Sequence, residues 1–217
     1  MNIIQTIILG IIEGITEFLP ISSTAHLIIT SKILHLQQTE FIKLFEVFIQ
    51  SGAILSVLFL YFGYLLKNKD VWLKLIISFI PTALIGFLFI NIIKDVFFES
   101  TLIVSSALLL VGLLFIFFEG KIKKGKIKLL KQISELSYWD AFLIGFFQSF
   151  AIIPGVSRAG AVILSMMILG YKRDESAIYS FLLAVPTILA ASVFDLYKSF
   201  GVLTTGVTNI QMIVIGF

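Results

Sequence analysis

The sequence predicts an all-α polytopic membrane protein, and three observations carry that prediction. Hydrophobic residues make up 59% of the 217 positions and charged residues only 13%, with a mean hydropathy of +1.06. Such a chain belongs in a bilayer. Four uninterrupted apolar stretches are each long enough to cross a hydrocarbon core of ~30 Å. Two further stretches, 2–34 and 138–169, are too long for one crossing, too short for two, and broken near the middle by proline.

Taken in order, the uninterrupted helices are expected at 41–66, 72–93, 101–118 and 176–197. The breaks fall at Pro20-Ile21-Ser22-Ser23 and Pro154-Gly155-Val156-Ser157. Proline removes a helix donor and pushes its predecessor out of the helical region. Non-helical backbone at membrane depth survives only where protein or a cavity surrounds it. Both broken stretches are therefore read as re-entrant hairpins, and one membrane domain spans 1–217. Residues 1–9 lack the basic start of a cleaved signal peptide and are kept as structure.

Loop charge orients the chain. Lys67, Lys69 and Lys74 lie in one loop and Lys121, Lys123, Lys124, Lys126, Lys128 and Lys131 in another on the same side, joined by Lys172 and Arg173. The positive-inside rule makes that side cytoplasmic. Lys94 with Asp95 and Glu99 falls on the opposite side. The two hairpins then enter from opposite faces, with their tips meeting near the midplane. Tyr61, Tyr64, Trp72, Tyr138 and Trp139 read as interfacial anchors, and His35 beside Lys32 as interfacial.

An internal repeat supports this plan. Leu9-Gly10-Ile11-Ile12-Glu13 followed by Pro20-Ile21-Ser22-Ser23-Thr24-Ala25 parallels Ile144-Gly145-Phe146-Phe147-Gln148 followed by Pro154-Gly155-Val156-Ser157-Arg158-Ala159, about 134 residues on. One hairpin plus three spans is an odd number of crossings, so the second copy is inverted, as in many transporters, and sites in such folds lie at the repeat interface. Repeat one covers about 1–120 and repeat two about 138–217.

Few residues can carry chemistry: Glu13, Glu17, Ser22, Ser23, Thr24 and His26 in the first hairpin, and Gln148, Ser157 and Arg158 in the second. Ionisable groups at membrane depth are expensive. Glu13 and Glu17, four apart, present two carboxylates on one helix face. Their repulsion demands a proton, a cation or Arg158. A hard divalent cation, Mg²⁺ or Ca²⁺, suits an oxygen-only pair completed by water and phosphate oxygens. Arg158 suits bidentate phosphate binding, and the helices starting after each break point N–H groups toward an anion. Ser22 or Ser23 with His26 offers a nucleophile and a general acid or base within one turn. The plainer readings are a structural Glu–Arg ion pair, a serine that caps the second helix, and a histidine bonded to a carbonyl. Glu46 and Gln50 form a polar stripe that either touches the headgroup site or bonds neighbouring helices. With no cysteine, thiol and disulfide chemistry is excluded. The lysines cluster in short loops rather than on a face that tracks a nucleic acid.

The stretch Glu13-Gly14-Ile15-Thr16-Glu17-Phe18-Leu19-Pro20-Ile21-Ser22-Ser23-Thr24-Ala25-His26 resembles the first signature of the bacterial undecaprenyl pyrophosphate phosphatases, the bacitracin-resistance family. Pro154-Gly155-Val156-Ser157-Arg158-Ala159-Gly160-Ala161 resembles the second, and Phe45-Glu46-Val47-Phe48-Ile49-Gln50 and Phe181-Leu182-Leu183-Ala184-Val185-Pro186 resemble further family segments in order. The resemblance implies an inverted repeat with two re-entrant hairpins and about six transmembrane helices in the complete family, the C-terminal part lying beyond Phe217. It implies removal of one phosphate from the lipid diphosphate that carries cell-wall precursors, at an outward-opening site in the bacterial plasma membrane, with resistance to bacitracin. Carried over, Glu13 and Glu17 bind a divalent cation or orient water, Ser23 or His26 attacks or transfers the proton, and Ser22, Thr24, Ser157 and Arg158 hold phosphate. Ala25 stands where the family has glycine, and Ala159 where it has a second serine. The competing expectation is a polyprenyl-phosphate flippase or other secondary transporter, which needs charge but no serine and histidine beside two carboxylates. A homodimer is compatible with either.

Overall fold

The computed structural model describes residues 1–89, 100–199, 201 and 207–217. Nine helices are described: α1 (Ile3–Thr16), α2 (Ser23–Ile33), α3 (Glu40–Lys67), α4 (Lys69–Leu88), α5 (Thr101–Lys123), α6 (Tyr138–Gln148), α7 (Arg158–Ile168), α8 (Arg173–Lys198) and α9 (Val207–Gly216). Short 3₁₀ turns cover Ile133–Glu135 and Ser149–Ile152. The described residues contain no strand beyond a single bridge between Lys131 and Tyr171.

Helices α3, α4, α5 and α8 are long and apolar enough to cross a membrane, matching the four expected spans. The protein is an all-α polytopic membrane protein. The helix expected at 101–118 runs on to Lys123, carrying Lys121 over the rings of Phe117 and Phe118 at 4.5 and 5.6 Å. A lysine stem can extend a helix past the hydrocarbon because it lies along apolar surface while its ammonium stays in water. The 72–93 expectation is met as far as Leu88; its end, with Lys94, Asp95 and Glu99, lies outside the described residues.

Both broken stretches break where proline demands. Helices α1, α2, α6 and α7 have 14, 11, 11 and 11 residues, so each rises at most roughly 21 Å, short of the hydrocarbon thickness. The partners of the two stretches correspond. Helix α6 lies along α4, and α1 lies along α9. Both contacts use a glycine: a Cβ on Gly145 would run into the Ser78 backbone, and one on Gly10 would sit 2.8 Å from the Gly216 carbonyl oxygen. Small residues that let backbones approach are how helices associate where lipid is as apolar as leucine.

Helices α3 and α8 form the central contact, and one large core packs between α3, α4, α6, α7 and α8. Its polar lock is Ser78, whose hydroxyl donates to the Ala141 carbonyl at 2.6 Å and pairs with the Tyr179 hydroxyl at 2.8 Å. That joins α4, α6 and α8 at one level. Pro81 and Pro186 sit inside α4 and α8 just above it, removing the N–H groups that would bond the carbonyls of Ile77 and Leu182.

Candidate active site

Each break aims a side chain. Asn2 opens α1 with a reciprocal capping box to Gln5, fixing the helix that presents Glu13 and, at its C-cap, Glu17. The chain then turns so sharply that Ser22 adopts φ 64 and ψ 91. For a residue with a Cβ this conformation costs about 1–3 kcal/mol. The turn puts Ser22 at the N-cap of α2, where its hydroxyl accepts from the Ala25 N–H at 3.4 Å. It also brings Ser23 back over α1, so that its Oγ donates to Glu17 Oε2 at 2.5 Å. In the second stretch Gly155 supplies the positive φ, +101, and Ser157 caps α7 by accepting from Gly160 N–H at 3.0 Å. Arg158 is then the first residue of α7.

Glu17, Ser22, Ser23 and Thr24 from the first stretch and Gln148, Ser157 and Arg158 from the second line one cavity of about 530 Å³. Across it, Arg158 Nη2 donates to Glu17 Oε1, with the two side chains 14% and 4% exposed. Arg158 Nη1 donates to the Ser180 carbonyl of α8 at 2.9 Å, while its buried Nε has no protein partner. One donor of the fork is thus left to reach an anion. The caps of α2 and α7 both face this cavity, so the positive ends of two helices add to Arg158.

Glu13 lies behind the cavity, 1% exposed. Neither of its carboxylate oxygens has a hydrogen-bonding partner, and its electrostatic neighbours are Glu17, Arg158 and Glu46. A buried carboxylate with two unpartnered oxygens beside a second carboxylate fits a hard cation, or a shared proton. Among the described residues no group of three or more His, Cys, Asp or Glu gathers. Protein ligation of a cation would therefore come from this pair, with the remaining positions left to water and phosphate oxygens.

The model of the family described as "Bacitracin resistance protein BacA" matches residues 6–217. This chain belongs to the BacA family. It is 52% identical over 200 residues to an undecaprenyl-diphosphatase of Persephonella marina, covering 92% of this chain and 78% of that one. It is 46% identical over 213 residues to one from Aquifex aeolicus, covering 98% and 82%. It is 45% identical over 217 residues to one from Campylobacter hominis, covering 100% and 83%.

The BacA signatures thus converge on one cavity, with Glu13 behind it and His26 set aside. His26 does not line it; its Nδ1–H donates to the Ser22 carbonyl at 2.8 Å, the bond of the plainer reading. That bond holds the strained turn. Glu46 meets both of its readings: it lines the cavity with Gln50, yet one oxygen accepts from Ser31 Oγ at 2.7 Å and Gln38 Nε2 at 3.3 Å.

Sequence reasoning missed three contributors. Ser180 acts through its carbonyl, which any residue would supply. Thr82, in the apolar second half of α4, accepts from Gln148 Nε2 at 2.8 Å and donates to Gly145 O at 3.0 Å, leaving Gln148 Oε1 without a partner at the cavity wall. Asp195 reaches the cavity from the far end of α8; an aspartate inside an apolar run is the signal that could have found it.

Proposed function

We propose that this protein removes the terminal phosphate of undecaprenyl diphosphate, releasing undecaprenyl phosphate and inorganic phosphate at a site open to the outer side of the plasma membrane. The observation that carries the reading is the buried chain Ser23–Glu17–Arg158 in a cavity that runs on between Ala83 and Gly86 of α4 and Ala190 and Ala191 of α8. A hydroxyl bonded to a carboxylate, next to a cationic fork, is a nucleophile, a base and an anion clamp. Relatives named undecaprenyl-diphosphatase support the substrate. The lysine-rich loops support the orientation.

In the proposed reaction Arg158 exchanges Glu17 for the terminal phosphate, using Nη2 and the unpartnered Nε as a fork. Its departure leaves Glu17 a stronger base. Ser23 Oγ attacks phosphorus in line and passes its proton to Glu17 Oε2, while the bond from phosphorus to the bridging oxygen breaks and undecaprenyl phosphate leaves. Water then attacks phosphorus, Glu17 returns its proton to Ser23 Oγ as the bond from phosphorus to Ser23 breaks, and inorganic phosphate leaves with the water's hydrogens. Ser22, Thr24 and Ser157, with the first N–H groups of α2 and α7, hold the phosphate oxygens. Glu13 and Glu17 are the groups that would hold Mg²⁺ or Ca²⁺, which when bound would neutralise charge developing on those oxygens. His26 is assigned to positioning the turn. The lengths of α1, α2, α6 and α7 and the matching α1–α9 and α6–α4 contacts favour two inverted repeats with re-entrant hairpins in a single membrane domain.

The test is phosphate release from undecaprenyl diphosphate by the purified protein, with rapid-quench trapping of a phosphoenzyme. The expected result is release abolished by Arg158→Ala and label on Ser23, lost in Ser23→Ala. Label on His26 would move the attack there. A folded protein that releases nothing but moves a polyprenyl phosphate across vesicles would be a carrier.

A further inference from the structure

The cavity also runs along apolar stretches of α4 and α8. On α4, Ala83, Gly86 and Phe87 face it, and on α8, Ala190, Ala191 and Phe194. The spacings i, i+3, i+4 and i, i+1, i+4 keep each set on one face of its helix. Below them the helices are tied together by Ser78 and Tyr179; above that tie the cavity separates them. At the rim, Phe87 and Phe194 meet edge to face with centroids 6.4 Å apart at 78°, and they are 68% and 37% exposed.

Depth follows from the helix starts. Phe87 lies 18 residues along α4 from Lys69, and Phe194 lies 21 along α8 from Arg173, roughly 27 and 32 Å from the basic side. The rim is therefore at the level of the outer leaflet, where exposed means lipid-facing.

We propose that the gap between α4 and α8 is a lateral portal through which the isoprenoid chain of the substrate passes from the phosphate site into the outer leaflet, with Phe87 and Phe194 as its lip. The proposal rests on the diphosphatase reading and adds the path of the tail. The occupant follows from continuity: one cavity is lined both by Arg158 and by these small apolar residues, so a ligand with its phosphate on Arg158 can lay its apolar part along them. The α3 side of the cavity presents Lys43, Glu46 and Gln50, and α8 adds Asp195, poor company for a hydrocarbon, which leaves the strip between Ala83, Gly86, Ala190 and Ala191. Alanine and glycine leave width for a thin branched chain, and the Phe rings offer faces to its double bonds. Gly86 gives a direct handle, because a Cβ there meets nothing within 4 Å. A larger side chain at this cavity-lining position starts into open space rather than into packed neighbours.

The experiment compares kcat/KM for undecaprenyl and farnesyl diphosphates in proteoliposomes of the full chain. Gly86→Leu and Ala190→Leu are expected to lower the long-to-short ratio by at least about tenfold. Leu84→Ala, on the lipid-facing side of α4, is expected to keep it within about twofold. An undecaprenyl diphosphate with a photoreactive group on an isoprene near its phosphate end is expected to label α4 and α8 near 83–87 and 190–194. Equal loss on both lipids, no change in the ratio, or labelling of α3 instead would overturn the portal while leaving the diphosphatase reading intact. A parent that releases phosphate from neither lipid defeats that reading, and the photolabel then decides the portal by itself.

Discussion

Replacing Arg158 by methionine tests whether the ion pair with Glu17 serves stability, chemistry or both. Methionine keeps the unbranched stem and removes the fork. The Glu17 carboxylate, 4% exposed, is then left with the Ser23 hydroxyl and with Glu13 behind it. Removing one partner of a buried pair costs about 3–5 kcal/mol, because the other charge is stranded. Adding Glu17→Gln neutralises that charge, so the double variant is expected to regain most of the stability. Activity behaves differently if Arg158 also clamps phosphate. One lost transition-state donor costs about 10²–10³ in kcat, and losing the base as well cannot restore it. Urea unfolding in mild detergent and phosphate release are measured on all four proteins of the cycle. A double variant both stable and active to within about tenfold of the parent would refute the clamp and leave the pair purely structural. Single variants as stable as the parent would refute the stranded-charge argument.

Glu13→Gln keeps shape and removes one charge of the pair; activity is expected to need at least about tenfold more added divalent cation, read as half-activation in a chelator-buffered titration. Ser22→Gly relieves the positive φ, since glycine adopts it freely and costs a cap only a few tenths of a kcal/mol. The midpoint of unfolding is expected to rise, by about 0.5–1 kcal/mol of stability. Gly145→Ala forces a methyl into the Ser78 backbone and is expected to cost about 1–3 kcal/mol, whereas Gly63→Ala, with nothing within 4 Å of the new Cβ, is expected to be neutral or slightly stabilising in the same melts.

The spans were legible because hydropathy and helix length are set by the bilayer: α3 and α8 begin and end within three residues of expectation. The breaks were legible because Pro20 and Pro154 are covalent facts. The meeting of Glu17 with Arg158, 141 residues apart, was legible because unpaired charge at membrane depth needs a partner. What stayed hidden depended on backbone. The φ of Ser22 decides that Ser23 faces Glu17 while His26 turns to a carbonyl, and composition carries no sign of it. The cavity between α4 and α8 was equally hidden, since Ala83, Gly86 and Ala190 look the same on a packed face as on an open one.

The pairing of α1 with α9 sets an order on assembly. Helix α6 emerges during synthesis onto α4, a partner already made. The Gly10 face of α1 is made first, yet its partner begins only at Val207. Half of the phosphate site therefore waits, inserted but unclasped, while residues 17–206 are made. Substitutions that weaken α9 should thus show first as poor yield of intact protein and only afterwards as poor turnover.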